Sequence, residues 1–293
     1  NFIIKYGLAL LLLSFYSCES WLNVTPSDRL SEEMLFNDRE GFVKALNGVY
    51  IELNTNELYG RNLTAGALDV MGQYYSVASS SHAFYNYGGL VYTGNDEKAL
   101  FDNMWQKCYA VIACCNTIIE KCDENKAGLS PVWKGSIKGE ALALRAMLHF
   151  DMLRLFGPLT SELDKESIPY QTNSDQTVTP LLSGSEVVGL ILDDLKNAVG
   201  LLKDTDPYFV EEEFSDTDLN YRRFRMNYFA AKGLMARVQL WGGDKEKAAI
   251  TAKEVIAEGQ AEGAEFFPFV TNSEATSSNP DRVFYSEVLF GTY

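Results

Sequence analysis

The 293-residue sequence contains little histidine and no motif of a common catalytic centre. Its two histidines are His82 and His149, and His149 lies one turn after Arg145 in an apolar helical segment, a position typical of a buried structural histidine. No Gly-x-Ser-x-Gly elbow, zinc-protease motif or phosphate-binding loop occurs in the chain. Among the 40 acidic residues, no pair is singled out by its spacing for glycoside hydrolysis. We therefore expect a protein that is not an enzyme and that holds no metal or other cofactor.

Basic residues are scarce relative to acidic ones. The 25 Lys and Arg residues against 40 Asp and Glu residues give a net charge of −15 and a pI near 4.6. A surface of this charge repels polyanions, which argues against nucleic acid and acidic lipid as partners. The acidic segment 204–218 lacks the glycine spacing of an EF-hand, so we expect a solvated loop there rather than a calcium site. Neutral ligands such as sugars and peptides remain open.

Cysteine is also infrequent, and four of the five cysteines lie within residues 108–122. Five cysteines in a chain of this length do not make a disulfide-rich domain. Cys108, Cys115 and Cys122 recur every seven residues, so their Cα atoms would be about 10.5 Å apart along a helix, whereas a disulfide needs less than about 7 Å. These cysteines are therefore predicted to be small apolar core residues.

The sequence has no apolar run of the roughly 20 residues that a membrane-spanning helix needs. A shorter run follows Lys5 near the N-terminus, which is typical of a secretory signal peptide. The run leads to Ser17-Cys18, which is similar to a bacterial lipobox, whose cysteine is lipidated and becomes the mature N-terminus. We predict a signal peptide at residues 1–17 and a mature domain at 18–293, with the covalent lipid on Cys18 as its only membrane attachment. The alternatives are an ordinary signal peptide with an incidental cysteine and a short buried helix.

Apolar residues at helical spacing recur through most of the remaining chain. Capping-box patterns at Asn37 and Ser183 predict two helix starts. Helices are predicted after Asn37, over residues 98–122 and 132–156, after Ser183, over residues 227–241, and from Asp244 to Gly259. Neighbouring helices joined by tight turns and rich in small residues are typical of tetratricopeptide-like hairpins. The predicted fold class is all-α, built from such hairpins with long inserted loops.

Three segments interrupt the helical pattern, at residues 62–95, 160–180 and 204–222. Long loops on a helical frame often carry binding residues. The first loop is rich in tyrosine, which offers a sugar both a flat apolar face and a hydroxyl group. The predicted ligand-binding residues are Asp69, Tyr74, Tyr75, Tyr85, Asn86, Tyr87 and Tyr92, with Gln73 and Asn95 as further hydrogen-bonding candidates. The alternative is a loop that packs on its own helices.

Several motifs together resemble the SusD/RagB family of outer-membrane nutrient-binding lipoproteins. The most recognisable stretch is residues 139–157, which contains GEALALRA and FDMLRLFG. Further similar stretches are LNVTP at 22–26, LNGVY at 46–50, NTII at 116–119, AAKGLMARV at 230–238 and GGD at 242–244. They cover nearly the whole chain in the order of the family.

The resemblance implies a non-catalytic protein that binds an oligo- or polysaccharide and delivers it to a TonB-dependent, SusC-like transporter. It also implies a location in the outer membrane, lipid-anchored and facing the cell exterior. Family members are considerably longer, so residues 18–293 are expected to be the N-terminal helical part, with the C-terminal part missing. The motifs are structural and identify no ligand residues. The alternative function is a tetratricopeptide-type protein-binding component of an importer that takes up peptides.

Overall fold

A computed structural model describes residues 32–175, 177–210, 214, 221–261 and 264–292. Cys18 and the predicted signal peptide at residues 1–17 lie outside the described residues, so both remain predictions. Over the described residues the chain forms helices α1 (Glu32–Leu35), α2 (Arg39–Leu53), α3 (Ala67–Met71), α4 (Tyr85–Gly88), α5 (Asn95–Glu124), α6 (Pro131–Phe156), α7 (Gly184–Thr205), α8 (Tyr228–Trp241), α9 (Lys245–Gly259) and α10 (Asn272–Ala275).

The described residues also form two small antiparallel strand pairs. Strand β1 (Glu166–Pro169) pairs with β2 (Leu181–Ser183), and β3 (Gln260–Ala261) pairs with β4 (Ala264–Glu265). Strand β1 lies within the irregular loop predicted at residues 160–180, and β2 follows that loop directly. Strand β1 packs on α6 and α7 and buries Ile168 completely. One buried side chain in a four-residue strand leaves too little alternation for a sequence pattern to reveal it.

The helices begin and end close to their predicted positions. Helix α2 starts one residue later than expected, because Asp38 rather than Asn37 is its N-cap: the Asp38 carboxylate accepts a hydrogen bond of 2.8 Å from the backbone N–H of Gly41. The capping box at Ser183 is confirmed at the start of α7. The predicted helix over residues 98–122 is confirmed as α5, which extends further at both ends.

The helices pack in the order of the chain, which confirms the all-α class and the tetratricopeptide-like hairpins. Helix α5 packs against α6, α6 against α7, and α8 against α9 across a tight turn. Helix α6 lies at the centre and buries side chains on all of its faces. Helix α7 approaches it closely because Gly139 has no side chain: a Cβ atom there would lie 2.7 Å from Cγ of Leu202. No helix among the described residues is both long and apolar enough to cross a membrane.

His149 has a structural role within this core, as predicted. Its buried ring stacks on Tyr170 with 4.0 Å between ring centroids. Its Nδ1 atom lies 2.9 Å from the carbonyl oxygen of Arg145, and its Nε2 atom accepts a hydrogen bond from the backbone N–H of Gln171. Burial lowers the pKa of His149 to about 3, so the ring is neutral at pH 7.

Three cysteines of α5 lie in the main core, which confirms their predicted role. Cys108, Cys115 and Cys122 are buried and unpaired, whereas Cys114 is exposed. Burial raises the pKa of each buried thiol, that of Cys122 to about 12. The three thiols are therefore protonated, unreactive packing groups.

Candidate functional site

The tyrosine-rich segment forms an insertion between α2 and α5, at residues 54–94, which we call the insertion. It contains α3 and α4, and its other residues form turns and irregular backbone. A small apolar cluster, separate from the main core, holds it together around three buried residues, namely Ala67, Val70 and Tyr87. Partly buried side chains surround them, including Leu100 and Phe101 of α5. The insertion is therefore attached by apolar contacts to the long helix that follows it.

Tyr87 and Tyr92 contribute to the interior of the insertion. Only 2% of Tyr87 is exposed, and the rings of both tyrosines meet Phe101 edge to face, with centroids 6.0 Å and 5.5 Å away. Burial raises the pKa of both hydroxyl groups. The structure thus gives Tyr87 a packing role in place of the predicted ligand contact, and it leaves only part of Tyr92 accessible. The physical reason is the contact of α4 with α5, which no local sequence pattern encodes.

Three other predicted tyrosines have their rings in solvent. Tyr74 is 80% exposed, Tyr75 54% and Tyr85 42%, and we call these three residues the exposed tyrosines. Leu90 and Val91 of the same insertion are exposed as well. Exposed apolar side chains concentrated in one segment mark an interaction site more often than singly scattered ones do. The insertion therefore presents the candidate site.

Tyr74 is placed by the end of α3. The chain turns at Gln73, which has a left-handed φ of +62°, and the backbone N–H of Tyr74 donates a hydrogen bond of 3.0 Å to the carbonyl oxygen of Asp69. The ring of Tyr74 lies against Gly72. Within the described part of the chain, the Asp69 carboxylate makes no side-chain hydrogen bond or ion pair, so it can accept one from a ligand.

Asn86 is exposed, but its side chain is hydrogen-bonded within the protein. Its Nδ2 atom donates a hydrogen bond of 2.7 Å to Oε1 of Glu97, a buried residue in the first turn of α5. This hydrogen bond lowers the pKa of Glu97. Asn86 therefore links α4, the helix that begins with Tyr85, to α5, and its predicted contact with a ligand stays a prediction. Of the other polar candidates, Gln73 is exposed and Asp69 half-buried in the insertion, and Asn95 is exposed at the start of α5.

The arrangement offers groups that can bind a sugar. Tyrosine rings offer flat faces to the C–H surfaces of sugars, and their hydroxyl groups and the Asp69 carboxylate can form hydrogen bonds. No group of His, Cys, Asp or Glu side chains is placed to hold a metal ion in the described ranges. Residues 211–213 and 215–220 lie outside those ranges, so the expectation of no calcium in the acidic loop stays a prediction.

Sequence reasoning missed three residues of this site, namely Glu97, Leu90 and Val91. An acidic residue in the first turn of a helix is ordinarily explained by the helix dipole, which hides its contact with Asn86. The one residue in the sequence that could have indicated the position of the Glu97 side chain is Gly94, directly before α5. A side chain at Gly94 would overlap the Glu97 carboxylate, which folds back over this position.

Two cavities lie elsewhere and involve none of the exposed tyrosines. One, of about 480 Å³, is lined by α2 and the segment after Tyr221, and the other, of about 490 Å³, lies around Tyr285. The exposed tyrosines line neither of these cavities, and their rings lie open to solvent. An open surface can accommodate a polymer that extends beyond the residues it touches.

The chain is thus a scaffold of helical hairpins with an insertion that carries exposed aromatic side chains. The chain belongs to the SusD-like family described as starch-binding and associating with the outer membrane, whose sequence profile matches residues 20–240. This match confirms the resemblance drawn from the sequence motifs.

Sequence matches to curated proteins support the same family assignment. The chain is 25% identical over 259 residues to SusD-like protein P2 of Formosa agariphila, covering 86% of this chain and 46% of that protein. It is 30% identical over 146 residues to a SusD-like protein of Bacteroides ovatus, covering 48% of this chain and 23% of that protein. The matched part is less than half of each relative's length.

Solved structures share the fold. A SusD-like carbohydrate binding protein from Bacteroides vulgatus has a TM-score of 0.63 at 22% identity, covering 81% of this chain and 47% of that chain. A laminarin binding SusD-like protein has a TM-score of 0.60 at 16% identity, covering 82% and 48%. At these identities the likeness concerns the helical fold alone.

Proposed function

We propose that this protein binds glycan at the cell surface without catalysis and delivers it to a TonB-dependent, SusC-like transporter of the outer membrane. The observation that carries the proposal is the set of exposed tyrosines on the insertion. Membership of a family described as starch-binding supports the choice of glycan as ligand. The name of the laminarin-binding relative supports the same choice.

The exposed tyrosines fit a glycan better than they fit a small apolar ligand. A small apolar ligand gains affinity by being enclosed, whereas the rings of the three tyrosines lie in solvent. A sugar ring needs only one flat face to stack on and hydrogen-bonding groups at its edge. A polysaccharide repeats that contact along its length, so several weak contacts add up through multivalency.

The absence of catalysis is part of the proposal. It is supported by the engagement of both ring nitrogens of His149, which leaves that histidine no role as a base. It is also supported by Glu140, the buried carboxylate of the family motif, which is paired with Arg222 and Arg225. Incubation of the protein with starch and laminarin should release no reducing sugar, and a sustained release would contradict this part of the proposal.

The surface location rests on Cys18, the predicted lipidation site. An acylated cysteine would hold the protein at the membrane, with each buried CH₂ group of the lipid contributing about 0.8 kcal/mol. Cells that express Cys18→Ala should incorporate no labelled palmitate into the protein and should lose it from the membrane fraction. Cys114→Ala is a matched control, because Cys114 is an exposed cysteine outside the predicted lipobox. Retention of Cys18→Ala in the membrane fraction would contradict the anchor.

Affinity electrophoresis of the complete gene product tests glycan binding. Native gels that contain starch or laminarin should retard the wild-type protein, and Tyr74→Ala and Tyr85→Ala should each weaken the retardation. Each lost stacking contact is expected to reduce affinity about fivefold to tenfold, or about 1–1.5 kcal/mol. Phe269→Ala is the matched control, since Phe269 is an exposed aromatic residue outside the insertion.

The results separate glycan binding from the peptide alternative. Retardation that depends on the exposed tyrosines but not on Phe269 supports glycan capture. Absence of retardation in a broad panel of neutral polysaccharides, together with binding of peptides, would favour the peptide importer. Co-purification with an outer-membrane transporter is expected in both cases and tests the proposed partner.

A further inference from the structure

We infer that Gln73 and Glu97 are positioning residues that hold the exposed tyrosines in a binding-ready arrangement. This inference rests on the proposed glycan function. It gives a positioning role to Gln73, which the sequence offered as a hydrogen-bonding candidate, and to Glu97, which the sequence did not single out. Each of them acts next to an exposed tyrosine, Gln73 directly and Glu97 through its hydrogen-bond partner. Gln73 precedes Tyr74, and the partner of Glu97 is Asn86, which follows Tyr85.

Tyr85 needs such support because α4 has only four residues. A helix of one turn is not stable by itself in water, so contacts with the rest of the protein must fix its orientation. Tyr87 supplies an apolar contact on the buried side of α4. The Asn86–Glu97 hydrogen bond supplies a directional contact to α5, whose length makes it a rigid base.

The side chain of Glu97 is held in place by burial and by its neighbours. It is only 5% exposed, and its Oε1 atom accepts the 2.7 Å hydrogen bond from Asn86. Its carboxylate folds back over Gly94, where any side chain would overlap it. The carboxylate is hydrogen-bonded by Asn86 and by the backbone N–H of Glu97 itself, and the bond from Asn86 is the one that links Glu97 to α4.

Gln73 ties the two exposed-tyrosine segments to each other. Its Nε2 atom donates hydrogen bonds to the carbonyl oxygens of Gly88, at 3.0 Å, and Val70, at 3.3 Å. Gly88 is the last residue of α4, and Val70 lies in α3. The segment that carries Tyr74 is thus connected to the segment that carries Tyr85 by one side chain.

A fixed arrangement should matter because ordering flexible groups costs free energy on binding. When α4 is free to move, each sugar contact must first order it, and this cost appears as an unfavourable entropy. Loss of either support is therefore expected to weaken glycan binding although no group that touches the sugar has been removed.

Calorimetry and hydrogen exchange on the complete gene product test the inference, with soluble starch and laminarin as the probes. Glu97→Ala should weaken binding about tenfold, mainly through entropy. Glu97→Gln should bind within about twofold of wild type, because its side-chain carbonyl can still accept the hydrogen bond from Asn86. Gln73→Gly should weaken binding like Glu97→Ala, since glycine adopts the left-handed backbone without strain and removes only the side chain. Glu246→Ala, an exposed glutamate in the first turn of α9, is the matched control.

Hydrogen exchange gives a readout that needs no ligand. The amide groups of residues 85–91 should exchange faster in Glu97→Ala and Gln73→Gly, while those of α6 remain protected. Unchanged exchange, or Glu97→Gln as weak in binding as Glu97→Ala, would overturn the inference. If Tyr85→Ala abolishes binding and Glu97→Ala does not affect it, the proposed function stands and the positioning role fails. If wild-type protein binds no glycan while the exchange rates change as expected, the proposed function fails instead.

Discussion

Arg145 of α6 and Asp194 of α7 form a buried bidentate ion pair, in which Nε and Nη2 of the arginine each lie 2.7 Å from a carboxylate oxygen. Tyr170 donates a third hydrogen bond to the same carboxylate, at 2.5 Å. The remaining Nη1 atom of Arg145 donates to Oδ1 of Asn116 in α5, at 2.8 Å. The family motif residue Arg145 therefore joins three helices of the scaffold.

Asp194→Asn is expected to destabilise the scaffold strongly. The substitution removes the charge that balances Arg145 while the guanidinium stays buried, and breaking a buried pair in this way costs about 3–5 kcal/mol. Urea unfolding followed by circular dichroism measures the loss. Glu40→Gln, which breaks the exposed pair of Glu40 with Lys44 in α2, should leave the midpoint nearly unchanged. Equal effects of the two variants would contradict the assignment of the Arg145–Asp194 pair as a central support.

Acidification is expected to destabilise the fold through His149 well before carboxylates are protonated. The pKa of His149 is about 3 in the folded protein and about 6.5 in the unfolded chain, so the unfolded state binds the proton first as pH falls. The full contribution is present above pH 6.5 and is lost between pH 6.5 and 3.

The size of this effect can be measured against a variant. From pH 7 to pH 5 the wild type should lose about 2 kcal/mol of unfolding free energy through His149. His149→Gln should be less stable at pH 7, and the gap to the wild type should narrow by about the same amount at pH 5. Urea unfolding at pH 7, 6 and 5 provides the values. Parallel pH profiles of the two proteins would show that His149 is not buried in its neutral form.

Two glycines in the α6–α7 pair are expected to respond to alanine in opposite directions. In Gly139→Ala the new methyl group would meet Leu202 at 2.7 Å, and such overpacking costs about 1–3 kcal/mol. Gly189 of α7 is exposed with no neighbouring atom within 4 Å of an added Cβ, so Gly189→Ala should stabilise the helix by about 0.5–1 kcal/mol. Thermal unfolding of both variants checks the prediction, which fails if Gly139→Ala is neutral.

The insertion is expected to prefer uncharged glycans. Residues 62–97 contain no Lys or Arg but include the carboxylates of Asp69, Asp96 and Glu97. Arg61, directly before this stretch, is hydrogen-bonded to Asn62 and lies over the ring of Phe84. In gels of low ionic strength, a carboxymethylated form of a bound polysaccharide should retard the protein at least tenfold less than the neutral form. Stronger retardation by the charged form would contradict the preference.

The scaffold could be predicted from the sequence because its signals are local and repeated. Helix α6 begins at Pro131 after the N-cap Ser130 and ends at Phe156 before the cap residue Gly157, so both ends carry local signals. Helices α8 and α9 are separated by a glycine turn with a left-handed residue at Gly243. Each of these features lies within a few residues of the element it defines.

The candidate site could be predicted only in part, because contacts between distant segments decide which tyrosines are exposed. Tyr85 and Tyr87 are two residues apart on a helix of one turn, too short to show a period. Phe101 of α5 covers Tyr87 and leaves Tyr85 in solvent. The Asn86–Glu97 contact was missed for the same reason.

A crystal structure of the complete gene product with a starch or laminarin oligosaccharide bound tests the central claim most directly. We predict sugar rings stacked on at least two of Tyr74, Tyr75 and Tyr85, with the insertion in the arrangement described above. An oligosaccharide bound only elsewhere, for instance in the cavity beside Tyr221, with all three tyrosines left in solvent, would contradict the claim.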